Sequence, residues 1–313
     1  MTLETYVAKS SGLNTRRALA RVSAAALTAA LVATGSNAVA ADAPGPSLKS
    51  VEVPAKASGI SKFAASAEPG DAPVNPLYGV DGNGDVWGYP PTGMGGLGSR
   101  IPVGQDWYDI RQATQADQDA DGFADGAWIT AGNQLAYLPL DSEGILVGNG
   151  WNIYNRVTSA GNLGGAGADD LLARDGSGVL WLYLGYGNGK LTQRYKVGGG
   201  WNTYTHITGK GDLTGDGKDD IVAKDGSGVL WLYKGTGNYK APFQSRTRVG
   251  GGWNTYNNVI SVGDIDIDGV TDLVARDKNG ALWLYKGTGS ASAPFKSRVK
   301  IGSGGWNTYR LLF

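Results

Sequence analysis

The residues best placed to do chemistry are aspartates in one recurring spacing, D-x-[DT]-x-D-G-x-x-D. It occurs as Asp117, Asp119, Asp121, Gly122 and Asp125, as Asp212, Thr214, Asp216, Gly217 and Asp220, and as Asp264, Asp266, Asp268, Gly269 and Asp272. Side chains at positions 1, 3 and 5 of a tight loop point to its inside, and Gly at position 6 permits the sharp turn. Position 7 can add a backbone carbonyl, from Phe123, Lys218 or Val270. The last Asp opens the next strand and can offer both oxygens. Calcium takes six to eight hard oxygens at about 2.3–2.6 Å, and this set supplies them. Up to four carboxylates within nine residues would otherwise repel one another. The loops are not EF-hands: Trp128, Ala223 and Ala275 stand where that motif needs Glu, and the flanking segments read as strands.

A fourth copy is degenerate. Asn162, Gly164, Ala166 and Asp170 occupy its ligand positions, and one carboxylate does not hold calcium well. Acid usage agrees with a loop chemistry: Glu occurs only at 4, 52, 68 and 143, and every other acid is Asp. His206 is the only histidine, so a catalytic triad or histidine-built metal site has no second member of that type. Glu143 has no evident partner, and no enzyme activity is expected. There is no cysteine, which excludes disulfides, thiolate nucleophiles and cysteine metal sites. Net charge is zero and no basic stripe stands out, so a nucleic-acid partner is not expected.

The loops recur because the chain repeats. Gly-Trp-Asn-x-Tyr places Trp at 151, 201, 253 and 306, with a weaker copy at Trp107. Leu-Trp-Leu-Tyr places Trp at 181, 231 and 283, with an early copy at Trp87. One unit, from Trp201 to Gly252, reads as four short strands: 201–207, 220–224, 229–233 and 246–249. Four short antiparallel strands make one propeller blade. The repeats begin at Leu77 with second to fourth strands only, and end at Trp306–Phe313 with a first strand only. Joined, the two fragments complete one blade and remove the open edge of the ring. The expectation is an all-β, five-bladed β-propeller over 77–313, closed in its first blade by both ends of the array.

The string at 211–233, GDLTGDGKDDIVAKDGSGVLWLY, resembles the FG-GAP-like/VCBS repeats of bacterial secreted proteins, relatives of the integrin α propeller. The literal Phe-Gly and Gly-Ala-Pro signatures are absent, and blade number in that family is often seven. The resemblance implies calcium in the loops. It places the Gly-Trp-Asn-x-Tyr junction and the Asp-Gly-Ser-Gly turns on the opposite face, where integrin-like propellers bind partners. Trp151, Tyr154, Trp201, Tyr204, Trp253, Tyr256, Trp306 and Tyr309 are therefore candidate ligand contacts, with packing the better reading for the tryptophans. The Leu-Trp-Leu-Tyr tryptophans read as core between blades.

Ahead of the repeats, Arg16, Arg17 and Arg21 precede a small apolar run at 22–34 and an A-x-A site at 38–40. That is an export signal over 1–40. Residues 41–76, rich in Ala, Pro, Ser and Lys, read as a flexible linker or propeptide. The expected protein is secreted, extracellular, monomeric and without membrane insertion, a calcium-binding module for a cell-surface glycan or an extracellular protein. An extracellular glycoside hydrolase and a wall-associated structural protein are the alternatives.

Overall fold

The computed structural model describes residues 46–50, 72–140 and 144–313. The export-signal segment, Glu143 and most of the expected linker lie outside the described residues. Twenty strands form five four-stranded antiparallel sheets. Blade 1 holds β20 (Tyr309–Leu312), β1 (Leu77–Asp81), β2 (Val86–Tyr89) and β3 (Ile101–Gly104). Blade 2 is β4 (Ile110–Ala116), β5 (Gly126–Ala131), β6 (Gln134–Pro139) and β7 (Ile145–Asn149). Blade 3 is β8 (Tyr154–Gly161), β9 (Asp170–Asp175), β10 (Leu180–Gly185) and β11 (Leu191–Gly198). Blade 4 is β12 (Tyr204–Thr208), β13 (Ile221–Asp225), β14 (Leu230–Tyr233) and β15 (Thr247–Gly250). Blade 5 is β16 (Tyr256–Gly263), β17 (Asp272–Asp277), β18 (Leu282–Tyr285) and β19 (Val299–Gly302).

The second strand of each blade is an apolar run rather than an alternation. Ile221, Val222 and Ala223 of β13 are all buried. A strand covered on both faces reads this way, and here the covers are the neighbouring blades. Five apolar clusters follow, each shared by two blades: one joins Leu180 and Leu182 to Trp201, Ile207 and Ile221. The first strands stand innermost, with β4 against β8, β8 against β12, and β12 against β16.

Closure is as the half-repeats require. β20 pairs antiparallel with β1, Gly79 facing Leu312 and Val80 facing Leu311. Tyr78 and Phe313 exchange both backbone hydrogen bonds, at 2.8 and 3.0 Å. The Phe313 ring stacks on Trp107 at 5.6 Å and lies 5.3 Å from Tyr78.

Two features differ from the sequence expectation. Trp201–Thr203 is a 3₁₀ turn, and the strand begins only at Tyr204. The chain must swing there from the outer strand of one blade to the inner strand of the next. Gly200, at φ 84°, opens the swing in a region costly for other residues. The turn is fastened when Trp201 N–H bonds Gly178 O at 2.9 Å. Secondly, within the expected linker, residues 46–50 and 72–76 lie against the ring. Leu48 is buried in the cluster between blades 1 and 2. Val74 N–H bonds Gly122 O at 2.9 Å, Asp264 N–H bonds Pro73 O at 2.7 Å, and Asn75 accepts from Ala124 N–H and donates to Val262 O. This strap spans the loops of blades 2 and 5.

If β20 carries closure, Phe313→Ala should cost about 3–5 kcal/mol, as expected for a buried aromatic, and deletion of Trp306–Phe313 should cost more. Chemical denaturation measures both. Stability unchanged by the deletion would show that the ring does not depend on this joint.

Candidate metal centre

The aspartate loops join first to second strands: β4–β5, β8–β9, β12–β13 and β16–β17. In each blade that connection falls at the same end of the ring. The Trp junctions and Asp-Gly-Ser-Gly turns fall at the other. Trp253 N–H bonding Gly228 O at 3.0 Å joins those two features directly.

The loop fold comes from its first residue. Asp117, Asp212 and Asp264 each accept the N–H of the position-6 glycine, at 2.8, 2.6 and 2.7 Å. Asn162, in the degenerate loop, accepts from Gly165 and Ala166 at 2.7 and 3.0 Å. A side-chain oxygen capping the N–H groups ahead of it is the ordinary Asx device. An amide does this as well as a carboxylate, so the loop shape needs no extra charge. Position 4 is left-handed in every copy: Ala120 φ 61°, Gly165 φ 85°, Gly215 φ 75° and Ile267 φ 59°. Sequence reasoning missed this, although glycine at two of the four copies was the signal. A β-branched Ile in this region is strained by about 1–2 kcal/mol.

The last Asp is a clasp. Asp220 accepts Leu213 N–H at 3.1 Å through one oxygen and Gly235 N–H at 2.7 Å through the other. Asp272 does the same with Ile265 at 2.9 Å and Gly287 at 2.8 Å. Asp170 repeats it with Gly164 and Gly185. These residues therefore tie the loop to the third strand, rather than standing with both oxygens free for an ion. Asp125 accepts Gln118 N–H at 2.7 Å.

Positions 1, 3 and 5 converge. Carboxylate oxygens of Asp117, Asp119 and Asp121 lie within 4.8 Å of one another, and so do those of Asp264, Asp266 and Asp268. The Asp266 side chain is only 7% exposed, and its Oδ1 has no hydrogen-bond partner. A buried, unpartnered carboxylate oxygen beside two more carboxylates fits a hard cation. In blade 4, Thr214 supplies a hydroxyl instead, and Asp216 pairs with Lys234 at 2.9 Å. Lys286 Nζ lies 2.6 Å from Asp266 in blade 5, and Lys296 Nζ 3.5 Å from Asp268. Phe123 and Val270 donate N–H to Asp121 and Asp268, and Lys218 holds the same position in blade 4.

The doubled aspartates have a second use. Asp170 and Asp220 are clasps, but Asp169 and Asp219 line a shared cavity. Buried Lys210 pairs with Asp169 and donates to Gln115 O at 3.0 Å. Asp169 also accepts from Asp117 N–H and Ser159 Oγ. A cavity of about 200 Å³ opens here, lined by Asp117, Asp121, Asn162, Asp169, Lys210 and Asp219. His206 is not part of it. Its ring nitrogens lie 3.1 Å from Thr205 Oγ1 and Asn257 O, and burial beside Arg156 holds its pKa down at about 4.

The junction aromatics pack, the better of their two readings, whereas the Leu-Trp-Leu-Tyr tryptophans do not reach the core. Trp151, Trp201, Trp253 and Trp306 are at most 8% exposed, and Tyr154, Tyr204, Tyr256 and Tyr309 at most 6%. They fill the seams between blades. Their hydroxyls pair with a second Tyr, as Tyr154 with Tyr183 at 2.5 Å and Tyr256 with Tyr285 at 2.7 Å. As candidate ligand contacts these eight rings offer little free surface. Trp181, Trp231 and Trp283, expected in the core, are half-buried. Each donates its indole N–H to the aspartate of its own turn, Asp175, Asp225 or Asp277, at 2.8–2.9 Å.

With this geometry in view, residues 212–275 match the sequence model of the FG-GAP-like repeat. The chain is a five-bladed β-propeller that carries an FG-GAP-like repeat. Comparison with curated proteins finds no significant match. Among solved structures, an Agrocybe aegerita lectin that recognises non-reducing terminal N-acetylglucosamine is 18% identical, with a TM-score of 0.36 over 72% of this chain and 51% of that one. The FG-GAP propeller thus spans about half the length of that lectin. The BP39L lectin of Burkholderia pseudomallei is 12% identical, with a TM-score of 0.46 over 75% of this chain and 71% of that one. Prp20p of Saccharomyces cerevisiae is 11% identical, with a TM-score of 0.36 over 71% and 60%. Similarity this low says nothing of ligand. Among the described residues, no helix is long and apolar enough to cross a membrane.

Metal-free loops carry a pH signature. Burial raises Asp117 to about 6, Asp264 and Asp220 to about 7, and Asp272 to about 8. Unfolded, each would titrate near 3.9. The folded chain therefore binds more protons between these values, and stability must fall as pH rises from about 4 to about 8. Asp175, held down at about 2 by its Ser177 hydrogen bond, acts only below that window. In EDTA the melting temperature should be higher at pH 5.5 than at pH 8. A melting temperature that rises across this interval would contradict the burial of these carboxyls.

Proposed function

We propose that the FG-GAP propeller is a secreted, calcium-stabilised binding module for an extracellular glycan or protein, and not an enzyme. The observation that carries calcium is the convergence of Asp264, Asp266 and Asp268 around an unpartnered, buried oxygen. Asp117, Asp119 and Asp121 would hold a second ion, and Asp212, Thr214 and Asp216 a weaker third. A divalent ion supplies charge neutralisation and lets three carboxylates share one loop. The residues themselves do the rest. The position-1 Asp folds the loop, the last Asp fastens it to the sheet, and Lys234, Lys286 and Lys296 offset charge at the rim of the site. Export to a calcium-rich medium supports this chemistry in a chain without disulfides.

The binding role is supported by the fold's repetition, which presents the same surface on successive blades. The acidic cavity beside Lys210 is the one feature that favours a hydrolase. Measured turnover of a polysaccharide that is lost on Asp219→Asn, with folding intact, would reverse the ranking.

The calcium reading is tested by titration of EDTA-stripped protein in a calorimeter, with about three ions expected and the blade-4 site weakest. Stabilisation follows RT ln(1 + [Ca]/Kd), about 1.4 kcal/mol per site at ten times Kd. Asp268→Ala should lower the melting temperature in calcium and change it little in EDTA. Asp170→Ala should lower it in both, because its clasp serves no ion. A stoichiometry near zero with a melting temperature indifferent to EDTA would leave these aspartates as loop-folding residues alone.

A further inference from the structure

The chain's zero net charge conceals a strong sorting of sign. Residues 186–200, 234–252 and 286–305 contain no Asp or Glu, and carry three, four and four Lys or Arg. These segments include the outermost strands β11, β15 and β19 of three consecutive blades. Lys234, Lys286 and Lys296 turn away to pair with loop aspartates. Lys190 and Lys240 stand in the loops ahead of the outer strands, and an exposed basic pair remains on or beside each outer strand: Arg194 and Lys196, Arg246 and Arg248, Arg298 and Lys300.

The first of each pair is held in place. The guanidinium of Arg194 lies 4.1 Å over the Trp181 ring, Arg246 4.1 Å over Trp231, and Arg298 4.2 Å over Trp283. Each also donates to the paired tyrosines, Arg194 to Tyr154 Oη at 2.8 Å and the other two to Tyr204 and Tyr256. The indole is fixed in turn by its bond to the turn aspartate. The second base stands directly across the ladder from that indole, Lys196 opposite Trp181, Arg248 opposite Trp231 and Lys300 opposite Trp283. The same niche thus recurs at the outer end of three successive seams.

Basic residues on an edge strand discourage edge-to-edge pairing, lysine above all. Edge protection does not explain why four of the six are Arg, nor why three are pinned on aromatic rings. A guanidinium held on an indole keeps most of its five N–H donors while its ordering cost is already met. Paired with a second cation, it suits a carboxylate accepted side-on.

We propose that this outer belt of blades 3 to 5 binds an acidic polysaccharide, with successive carboxylates seated at successive seams. It names a partner class for the binding role above, rests on that reading, and uses a surface distinct from the calcium loops. A repeating polymer matches a repeating niche. Nucleic acid fits less well, because the indole faces on which bases would stack are covered by guanidinium.

The test is titration of the folded, calcium-loaded protein with hyaluronate oligosaccharides at about 50 mM salt, repeated at about 300 mM, where screening is far stronger. Binding is expected at low salt and should weaken steeply at high salt, and neutral dextran should not bind. The triple variant Lys196→Gln/Arg248→Gln/Lys300→Gln, whose exposed side chains stack less closely, should lose about tenfold or more in affinity with an unchanged melting temperature. Arg246→Gln alone should weaken binding and also alter indole fluorescence. No binding at low salt, equal binding by the triple variant, or preference for a DNA oligonucleotide over hyaluronate would each overturn the proposal. The calcium-dependent melting shift, read on the same samples, reports separately on the metal loops.

Discussion

Each blade has a second strand with no face left for water. Ile221, Val222 and Ala223 lie between the cluster shared with blade 3 and the one shared with blade 5. A lone sheet of this composition would expose apolar area on both sides, at about 25 cal/mol per Å². Every blade therefore needs two neighbours, and a row of five would leave two blades short of one. The ring is the arrangement in which no blade is terminal. It sets the demand on β20: the last strand must arrive in the first sheet, and Phe313 must fill the space beside Trp107 and Tyr78.

Within that ring, one hydrogen-bond device is used three times per repeat. An aspartate folds the acidic loop, a second fastens the loop to the third strand, and a third folds the opposite turn and receives the indole N–H. The loop and turn aspartates accept from backbone N–H groups two to five residues ahead, and the clasp from one six or seven residues behind and one fifteen residues on. Glutamate is one methylene too long for the Asx geometry, which accounts for the near-exclusive use of Asp. Electrostatics then separates the three. The turn aspartates are open to water and fall to about 2 in Asp175, whereas burial raises Asp117 and Asp264 in the loops and the clasps Asp220 and Asp272. The loops thus store the desolvation that a cation would relieve.

The fold was legible in the sequence because the repeat is long, aromatic and punctuated by glycine. Blade count, strand order and terminal closure followed from where the copies of Gly-Trp-Asn-x-Tyr begin and end. The loop aspartates were legible for the same reason. What escaped was orientation. Spacing cannot tell a ligand from a clasp, and Asp220 and Asp272 differ from Asp216 and Asp268 only in which N–H groups the folded chain brings to them. Nor does it show that Gly200 turns Trp201 into a seam while Trp231, mid-strand, stays half-exposed under Arg246. Asp169 of blade 3 meets Lys210 and Asp219 of blade 4 only because two neighbouring blades bring their loops together, and no local pattern carries that distance.

Charge sorting ties the two ends of the argument together. Acids collect in the loops and turns, bases on the outer strands, and the strand direction keeps them apart. Each divalent ion taken up by a loop adds two positive charges to a chain that starts at zero. Yet at physiological ionic strength the Debye length is about 8 Å, so an exposed charge is largely screened beyond that distance. Filling the loops cannot attract a polymer to the outer belt by net charge alone. Any affinity there must come from direct contact with Arg194, Arg246 and Arg298 and their cross-strand partners. The loops would act on that proposed surface through rigidity instead: they join the first and second strands of a blade, and the seams on which the guanidinium groups rest are packed against those strands.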